Sequence, residues 1–169
     1  MNGSLPKISL KDAITGDCLL LRSGGLVARL IEVWSYYSHA ALVLRLPFRD
    51  ECVYVAEATL PEVELRKAED KVRHTRVAHL FRPAGLDAST RSCLLKQATE
   101  VVACGVRYDV KSLVANAFGH VSADARRYFC SEFVWDMWRR CGIVAEGRKA
   151  PRPGDIPKWV HGTLYAVEV

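Results

Sequence analysis

Residues 38–58 read SHAALVLRLPFRDECVYVAEA, and they decide how the first half of the chain folds. Two stretches rich in apolar and β-branched residues, 38–46 and 51–58, are separated by Pro47-Phe48-Arg49-Asp50. Such residues favour strands, and a short polar segment with a proline between two strands is typical of a hairpin turn. The stretch therefore predicts two adjacent antiparallel strands.

Glu57 is unusual for its position in this hairpin. It lies in the nearly apolar run 53–58, and carboxylates are rarely buried unless they are paired. Directly opposite residues in antiparallel strands have numbers with a constant sum. A turn centred near residue 48 makes that sum about 96, the sum for His39 and Glu57.

We therefore expect His39 and Glu57 to face each other with their Cβ atoms about 5 Å apart. The carboxylate would accept the imidazole N–H, fix the tautomer of His39 and raise its basicity. A register shift of two residues would keep both side chains on one face, whereas a shift of one would separate them.

The remaining pattern predicts an α+β fold in a single domain over residues 1–169, with strands mainly in the first half and helices mainly in the second. Further strands are expected at 17–22, 63–66, 77–82 and 163–169. Helices are expected around 26–34, from Asp87 or Ser89 to Gly105, from Asp109 to Gly119, and over 131–141.

Composition limits the classes of protein to consider. Of the 169 residues, 50% are hydrophobic and 25% charged, with a net charge of +5. These values exclude collagen-like and disordered chains, and they permit an anionic partner without requiring one. The N-terminus has no apolar segment typical of a signal peptide, and no apolar run approaches the ~20 residues needed to span a bilayer. We expect a protein that is cytoplasmic as synthesised, with export by a non-classical route left open.

The chain has six cysteines but no C-x-x-C pair. Zinc sites usually contain such pairs, and several of these cysteines lie in apolar runs, where a free thiol behaves as a small hydrophobe. The sequence therefore predicts reduced thiols, no metal and no cofactor.

Cys130 is the cysteine whose position favours chemistry, since it falls at the first turn of an amphipathic helix. The unpaired N–H groups and positive dipole end there favour a thiolate and can hold an oxyanion. The alternative is a buried structural cysteine, which most cysteines are. Together with His39 and Glu57, Cys130 would form a cysteine nucleophile system.

Several motifs carry a family resemblance: TGDCLLLR at 15–22, YSHAALVL at 37–44, VYVAEA at 53–58, RYD at 107–109, FCSEFVW at 129–135 and Cys141-Gly142. In this order they resemble the circularly permuted NlpC-type, papain-like hydrolases, most closely the YiiX-like branch and more distantly lecithin–retinol acyltransferase. The resemblance covers residues 16–142. In that group, as here, the histidine strand precedes the cysteine helix.

The resemblance implies an antiparallel sheet packed against helices, with the nucleophile at a helix N-terminus. It makes Cys130 the nucleophile, His39 the general base and acid, and Glu57 the residue that orients His39. Asp17 would be structural. The residues expected to bind substrate are Tyr37, Ser38, Tyr108 and Ser131.

Three functions remain open from the sequence. The first is a cysteine amidase or peptidase acting on peptide or isopeptide bonds, such as those of cell-wall peptides. The second is a lipid acyl hydrolase or acyltransferase with the same triad, in which His74 or His79 could replace Glu57. The third is a non-catalytic binding module that keeps the fold.

The basic segment 66–82 is expected to be a solvated charged face. Its alternative is a rim that binds an anionic polymer or a membrane surface. No aromatic residues are interleaved with these charges, so a nucleic-acid partner is not expected. The sequence leaves the oligomeric state open.

Overall fold

The computed structural model describes residues 4–24, 35–47, 49, 52–59, 62–105, 107–108, 127–128, 130–147 and 149–168. The strands are β1 (Lys7–Ser9), β2 (Cys18–Ser23), β3 (His39–Arg45), β4 (Val53–Ala58), β5 (Val63–Lys67), β6 (Thr75–Pro83), β7 (Arg107–Tyr108), β8 (Arg127–Tyr128) and β9 (Gly162–Glu168). The helices are α1 (Ala68–Arg73), α2 (Ala88–Ala103), α3 (Cys130–Arg140) and α4 (Ile156–Trp159).

A seven-stranded sheet organises the fold, in the order β1-β9-β6-β2-β3-β4-β5. Its pairs are antiparallel except β1 with β9. Strands β7 and β8 form a separate parallel pair. The predicted α+β class is confirmed.

Both faces of the sheet are covered, which explains why β2 and β3 are apolar almost throughout. On one face Cys18, Leu20 and Leu42 pack against residues of α2 and α3. On the other, Leu19, Leu21 and Val43 join a second cluster with Ala68 and Val72 of α1. Within the described residues, no helix is long and apolar enough to cross a membrane.

Five elements were not predicted from the sequence: strand β1, helix α1, the two-residue strands β7 and β8, and the short helix α4. Strand β1 has only three residues, which is too short for an alternating pattern to be recognised. Helix α1 has the sequence AEDKVR with only two buried residues, so its charged character hides the helical period. The helices expected at 26–34 and 109–119 lie outside the described residues.

The register of the β3–β4 hairpin differs from the predicted one by two residues. Leu42 is opposite Ala56 and Arg45 is opposite Val53, a sum of 98 rather than 96. The connection contains two successive turns, Arg49 N–H to Leu46 O and Cys52 N–H to Arg49 O. The turn is therefore centred on residue 49, and Glu57 lies beside Ala41, so that His39 is its diagonal neighbour.

The prediction of reduced thiols was wrong for two of the six cysteines. Cys93 and Cys141 form a disulfide, with their Cα atoms 5.9 Å apart. The sequence spacing gave no sign of it, because only the packing of α2 against α3 brings the two residues together. Cys18, Cys52, Cys104 and Cys130 are free.

Candidate active site

Cys130 is the first residue of α3 and is only 1% exposed. The helix is anchored by four fully buried side chains, Phe133, Val134, Met137 and Trp138. The Trp138 indole also donates a hydrogen bond to the carbonyl of Gly16 at 3.0 Å. Backbone N–H groups in the first turn of a helix have no acceptor within the helix, so the sulfur lies at the positive end of the helix dipole.

The turn that receives Trp138 is itself tightly specified. Gly16 has a φ of +101°, and a Cβ there would lie 2.6 Å from Leu86 and 2.7 Å from Leu94.

Asp17 accepts hydrogen bonds from the Ile14 N–H at 2.9 Å and from the Arg82 guanidinium at 2.8 and 2.7 Å. Burial raises the pKa of Asp17 despite the opposing effect of Arg82. Its carboxylate is bound within the turn, and a structural role for Asp17 remains a prediction.

His39 and Glu57 are in contact despite the altered register. The Nε2–H of His39 donates to Glu57 Oε2 at 2.6 Å. Glu57 continues the alternating row of Val53 and Val55 in β4, and its side chain has no exposed surface. A shift of two residues preserves the face on which a side chain lies, which is why the predicted pair survives.

Lys71 is a partner of Glu57 that the sequence analysis missed. Its Nζ lies 2.5 Å from Glu57 Oε1, so one carboxylate oxygen contacts Lys71 and the other contacts His39. The available signal was the need of a buried carboxylate for full compensation. The sequence did not indicate which cation of the 66–82 segment would supply it.

The electrostatics of His39 reflect its two partners. Burial lowers the pKa of His39, but hydrogen bonds and charge interactions with Cys130 and Glu57 outweigh it and raise that pKa to about 10. Because Nε2 is bonded to Glu57, Nδ1 is the ring nitrogen available to the sulfur. Burial likewise tends to raise the pKa of Glu57, but His39 and Lys71 together hold it below its usual value. The arrangement favours a protonated imidazole beside the ionised Glu57 carboxylate.

A second buried cysteine, Cys18, differs sharply from Cys130 in its surroundings. Burial in β2 raises the pKa of Cys18 well above its usual value, and the negative charge of Cys130 adds to the effect. A thiol kept protonated in this way is a poor nucleophile.

The residues predicted to bind substrate have different surroundings. The Tyr37 hydroxyl and His79 Nδ1 share a hydrogen bond of 2.5 Å. The Ser38 hydroxyl accepts from the Ser23 N–H and donates to the Leu21 carbonyl. Ser131 is buried, and its hydroxyl has no hydrogen-bond partner among the described residues. Tyr108 belongs to β7, and its side chain lies outside the described part. A role in substrate binding remains a prediction for all four.

The two histidines considered as alternatives to Glu57 lie elsewhere. His79 faces Tyr37, and burial lowers its pKa. His74 is exposed at the end of α1. The group bonded to His39 Nε2 is the Glu57 carboxylate.

Several basic residues of the 66–82 segment form ion pairs with nearby carboxylates. Arg66 pairs with Glu64 and Arg73 with Glu69 on the surface. Lys71 and Arg82 reach the buried carboxylates of Glu57 and Asp17. Two of these cations are therefore part of the interior rather than of a solvated face, and binding of an anionic polymer or membrane by this segment remains a prediction.

Comparison with known proteins supports the fold. No protein-family model and no curated protein matches the chain. Among solved structures, it is similar to the crystal structure of the metalloprotein YiiX from Escherichia coli O157:H7, with a TM-score of 0.62 and 22% identity, covering 82% of this chain and 67% of that one. The chain therefore has a YiiX-like fold.

Proposed function

We propose that the protein is a papain-like cysteine hydrolase of circularly permuted topology, with Cys130 as the nucleophile. The Cys130 thiolate attacks the substrate carbonyl carbon, and the N–H groups at the start of α3 stabilise the oxyanion. The His39 imidazolium then protonates the leaving amine as the C–N bond breaks, which leaves a thioester on Cys130. His39 next removes a proton from water, whose attack releases the acid and restores the thiolate–imidazolium pair.

One observation carries this proposal: the Nε2–H of His39 is bound to the buried Glu57 carboxylate at 2.6 Å, while Cys130 is near enough to the same imidazole to contribute to its raised pKa. In a structural role, a buried cysteine needs no such base. A binding module that merely kept the fold would have no reason to retain a buried, doubly compensated carboxylate behind the histidine.

The favoured substrates are amides, namely peptide or isopeptide bonds such as those of cell-wall peptides. The group bonded to His39 Nε2 is a carboxylate rather than a histidine, which supports amides over the acyltransferase-like arrangement with a histidine in that place. Lipid esters are the alternative that an experiment must compare, because both reactions pass through a thioester.

The similar solved structure is named as that of a metalloprotein, but the proposal made here involves no metal. Among the described residues, no group of three or more histidine, cysteine, aspartate or glutamate side chains is arranged to hold a metal ion. Both oxygens of Glu57 are already occupied, by His39 and Lys71. The residues of the candidate site therefore do not fit a metal centre, and no step is assigned to one.

The test is intact-mass spectrometry after reaction with an electrophilic thiol probe at neutral pH. One probe adduct, mapped to Cys130 and slowed strongly in His39→Gln, is expected. Wild type and Cys130→Ala are then compared on peptide amides and on lipid esters. Turnover of the amides by wild type but not by Cys130→Ala supports the proposal. Turnover of the esters without turnover of the amides favours the acyltransferase-like function. A probe reaction indifferent to His39 would contradict both.

A further inference from the structure

We propose that Lys71 is a positioning residue of the active site, which holds the Glu57 carboxylate in the orientation that aligns His39. This inference rests on the proposed function, and it concerns a residue outside the Cys130–His39–Glu57 triad. Its basis is geometric: Lys71 Nζ lies 2.5 Å from Oε1, and His39 Nε2 lies 2.6 Å from Oε2 of the same carboxylate.

Two contacts on two oxygens restrict a carboxylate more than one contact can. With only His39 bound, the carboxylate could rotate about its terminal bond and offer either oxygen, because torsions of this type are broad. Lys71 restricts that rotation through the charge attraction between Nζ and Oε1, which form a close ion pair rather than a directed hydrogen bond. The imidazole then has one acceptor in one place, and its Nδ1 stays directed at Cys130.

Charge balance provides a second reason for Lys71. The thiolate and the Glu57 carboxylate bring two negative charges into the buried site, and the His39 imidazolium supplies only one positive charge. Lys71 makes the cluster neutral, and a buried, uncompensated charge is strongly destabilising. Glu57 can therefore support His39 without adding net negative charge beside the thiolate.

The packing of helix α1 places the Lys71 side chain beside Glu57. Ala68 and Val72 are buried in the second core cluster, which fixes the helix against the sheet. Lys71 lies between them, and its side chain remains only 30% exposed. The neighbouring Arg73 points to a different partner, Glu69, with both side chains exposed. Arg73 is therefore a matched control on the same helix.

Other charged groups near Glu57 must be considered before its protonation is used as a readout. From β5, Glu64 lies opposite it in the strand pair and Arg66 pairs with Glu64. From β3 and α3, His39 and Cys130 complete the set. The Glu64–Arg66 pair nearly cancels itself, so Lys71 and His39 decide whether Glu57 stays ionised. Loss of Lys71 should allow Glu57 to protonate at higher pH.

The experiment measures the alkylation rate of Cys130 by iodoacetamide between pH 4 and 9 in wild type, Lys71→Met, Lys71→Arg and Arg73→Met. We expect Lys71→Met to move the acid limb of the profile upward by about one pH unit, which is roughly a ten-fold slower reaction on that limb. Above pH 8 the rates should agree within about three-fold. Lys71→Arg should restore most of the wild-type profile, and Arg73→Met should leave it unchanged.

Thermal unfolding at pH 4 to 7 provides a second readout that does not depend on thiol reactivity. Because the folded-state pKa of Glu57 would lie closer to its unfolded value in Lys71→Met, this variant should lose less stability on acidification than wild type does. A profile and an unfolding series that both match wild type would overturn the inference. If Lys71→Met does not fold, Lys71→Gln carries the same comparison. A wild-type Cys130 that is inert and indifferent to His39→Gln would refute the proposed function instead, and the unfolding series would then decide the role of Lys71.

Discussion

Glu57 shows how one residue can reveal a site when its surroundings contradict its chemistry. It is a fully buried carboxylate in a strand of apolar residues, and such a group is tolerated only with close partners. The structure supplies two of them, from β3 and α1. The three residues of the proposed triad therefore should not contribute equally to activity.

Substitutions in the triad are expected to rank in a defined order. Cys130→Ala should abolish hydrolysis, and His39→Gln should be nearly as severe because the leaving group loses its proton donor. Glu57→Gln should cost about 1–3 kcal/mol, or roughly ten- to two-hundred-fold in rate, since an amide oxygen can still accept the imidazole N–H. Steady-state kinetics on the best amide substrate provide the comparison. Full activity in Glu57→Gln would show that another residue orients His39.

The stability of the protein should fall on the alkaline side because of His39. Its pKa is raised to about 10 in the folded protein, against about 6.5 for an unfolded histidine. A raised pKa stabilises the fold fully below pH 6.5, and that contribution disappears as the pH rises towards 10. Thermal melts of wild type should therefore show a decline over this range, and His39→Gln should show a smaller one. Equal slopes would mean that His39 is not protonated in the native state.

Arg82 should be important for stability rather than for catalysis. It makes two hydrogen bonds to the buried Asp17 carboxylate, and removal of one partner leaves the other buried and unpaired. Arg82→Met should cost about 3 kcal/mol in urea unfolding, and the double variant Asp17→Asn/Arg82→Met should recover part of it. A double variant whose loss equals the sum of the single losses would show that the pair does not interact.

At the level of elements, α3 carries the proposed nucleophile at its first residue and is anchored near its C-terminal end. Its first residue is Cys130, and Cys141 directly after its last residue is linked to Cys93 in α2. The helix is further connected to the turn before β2 through Trp138. The disulfide thus joins the two helices on the same face of the sheet.

Removing this disulfide should destabilise the protein with little effect on the site. The two cysteines are 48 residues apart, and closing a loop of that length contributes at most about 4 kcal/mol. Cys93→Ser/Cys141→Ser should lower the midpoint of urea unfolding by an amount within that limit, while alkylation of Cys130 stays within about two-fold of wild type. Treatment of wild type with a dithiol reductant should reproduce the shift. No change on reduction would show that the two thiols are not bonded in solution.

For the whole molecule, the sheet order separates the site from the far edge. The proposed triad uses β3, β4 and α3, whereas β1 lies at the opposite edge, beyond β2, β6 and β9. Strand β1 pairs with β9, and Leu10 after it enters the second core cluster. A structural change at that edge should therefore have little effect on the proposed triad.

Deletion of residues 1–9 is therefore expected to lower the stability of the protein without changing the reactivity of Cys130. Losing the three β1 residues paired with β9 should cost about 1–3 kcal/mol, because net hydrogen bonding and some apolar burial are lost. The rate of Cys130 alkylation should remain close to that of the full chain. A large loss of reactivity in a folded truncated protein would show coupling across the sheet.

Local properties of the sequence determined the class of fold, the main strands and the face shared by His39 and Glu57. A strand has a period of two, so a turn misjudged by one position in its centre shifts partners by two and leaves the faces unchanged. Helix α3 and its first residue could also be located, because apolar residues repeated at helical spacing over a long segment are a strong signal. Only the tertiary structure decided the hairpin register, the Cys93–Cys141 bond and the role of Lys71. Each of these depends on which distant surfaces pack together, and no local periodicity records that choice.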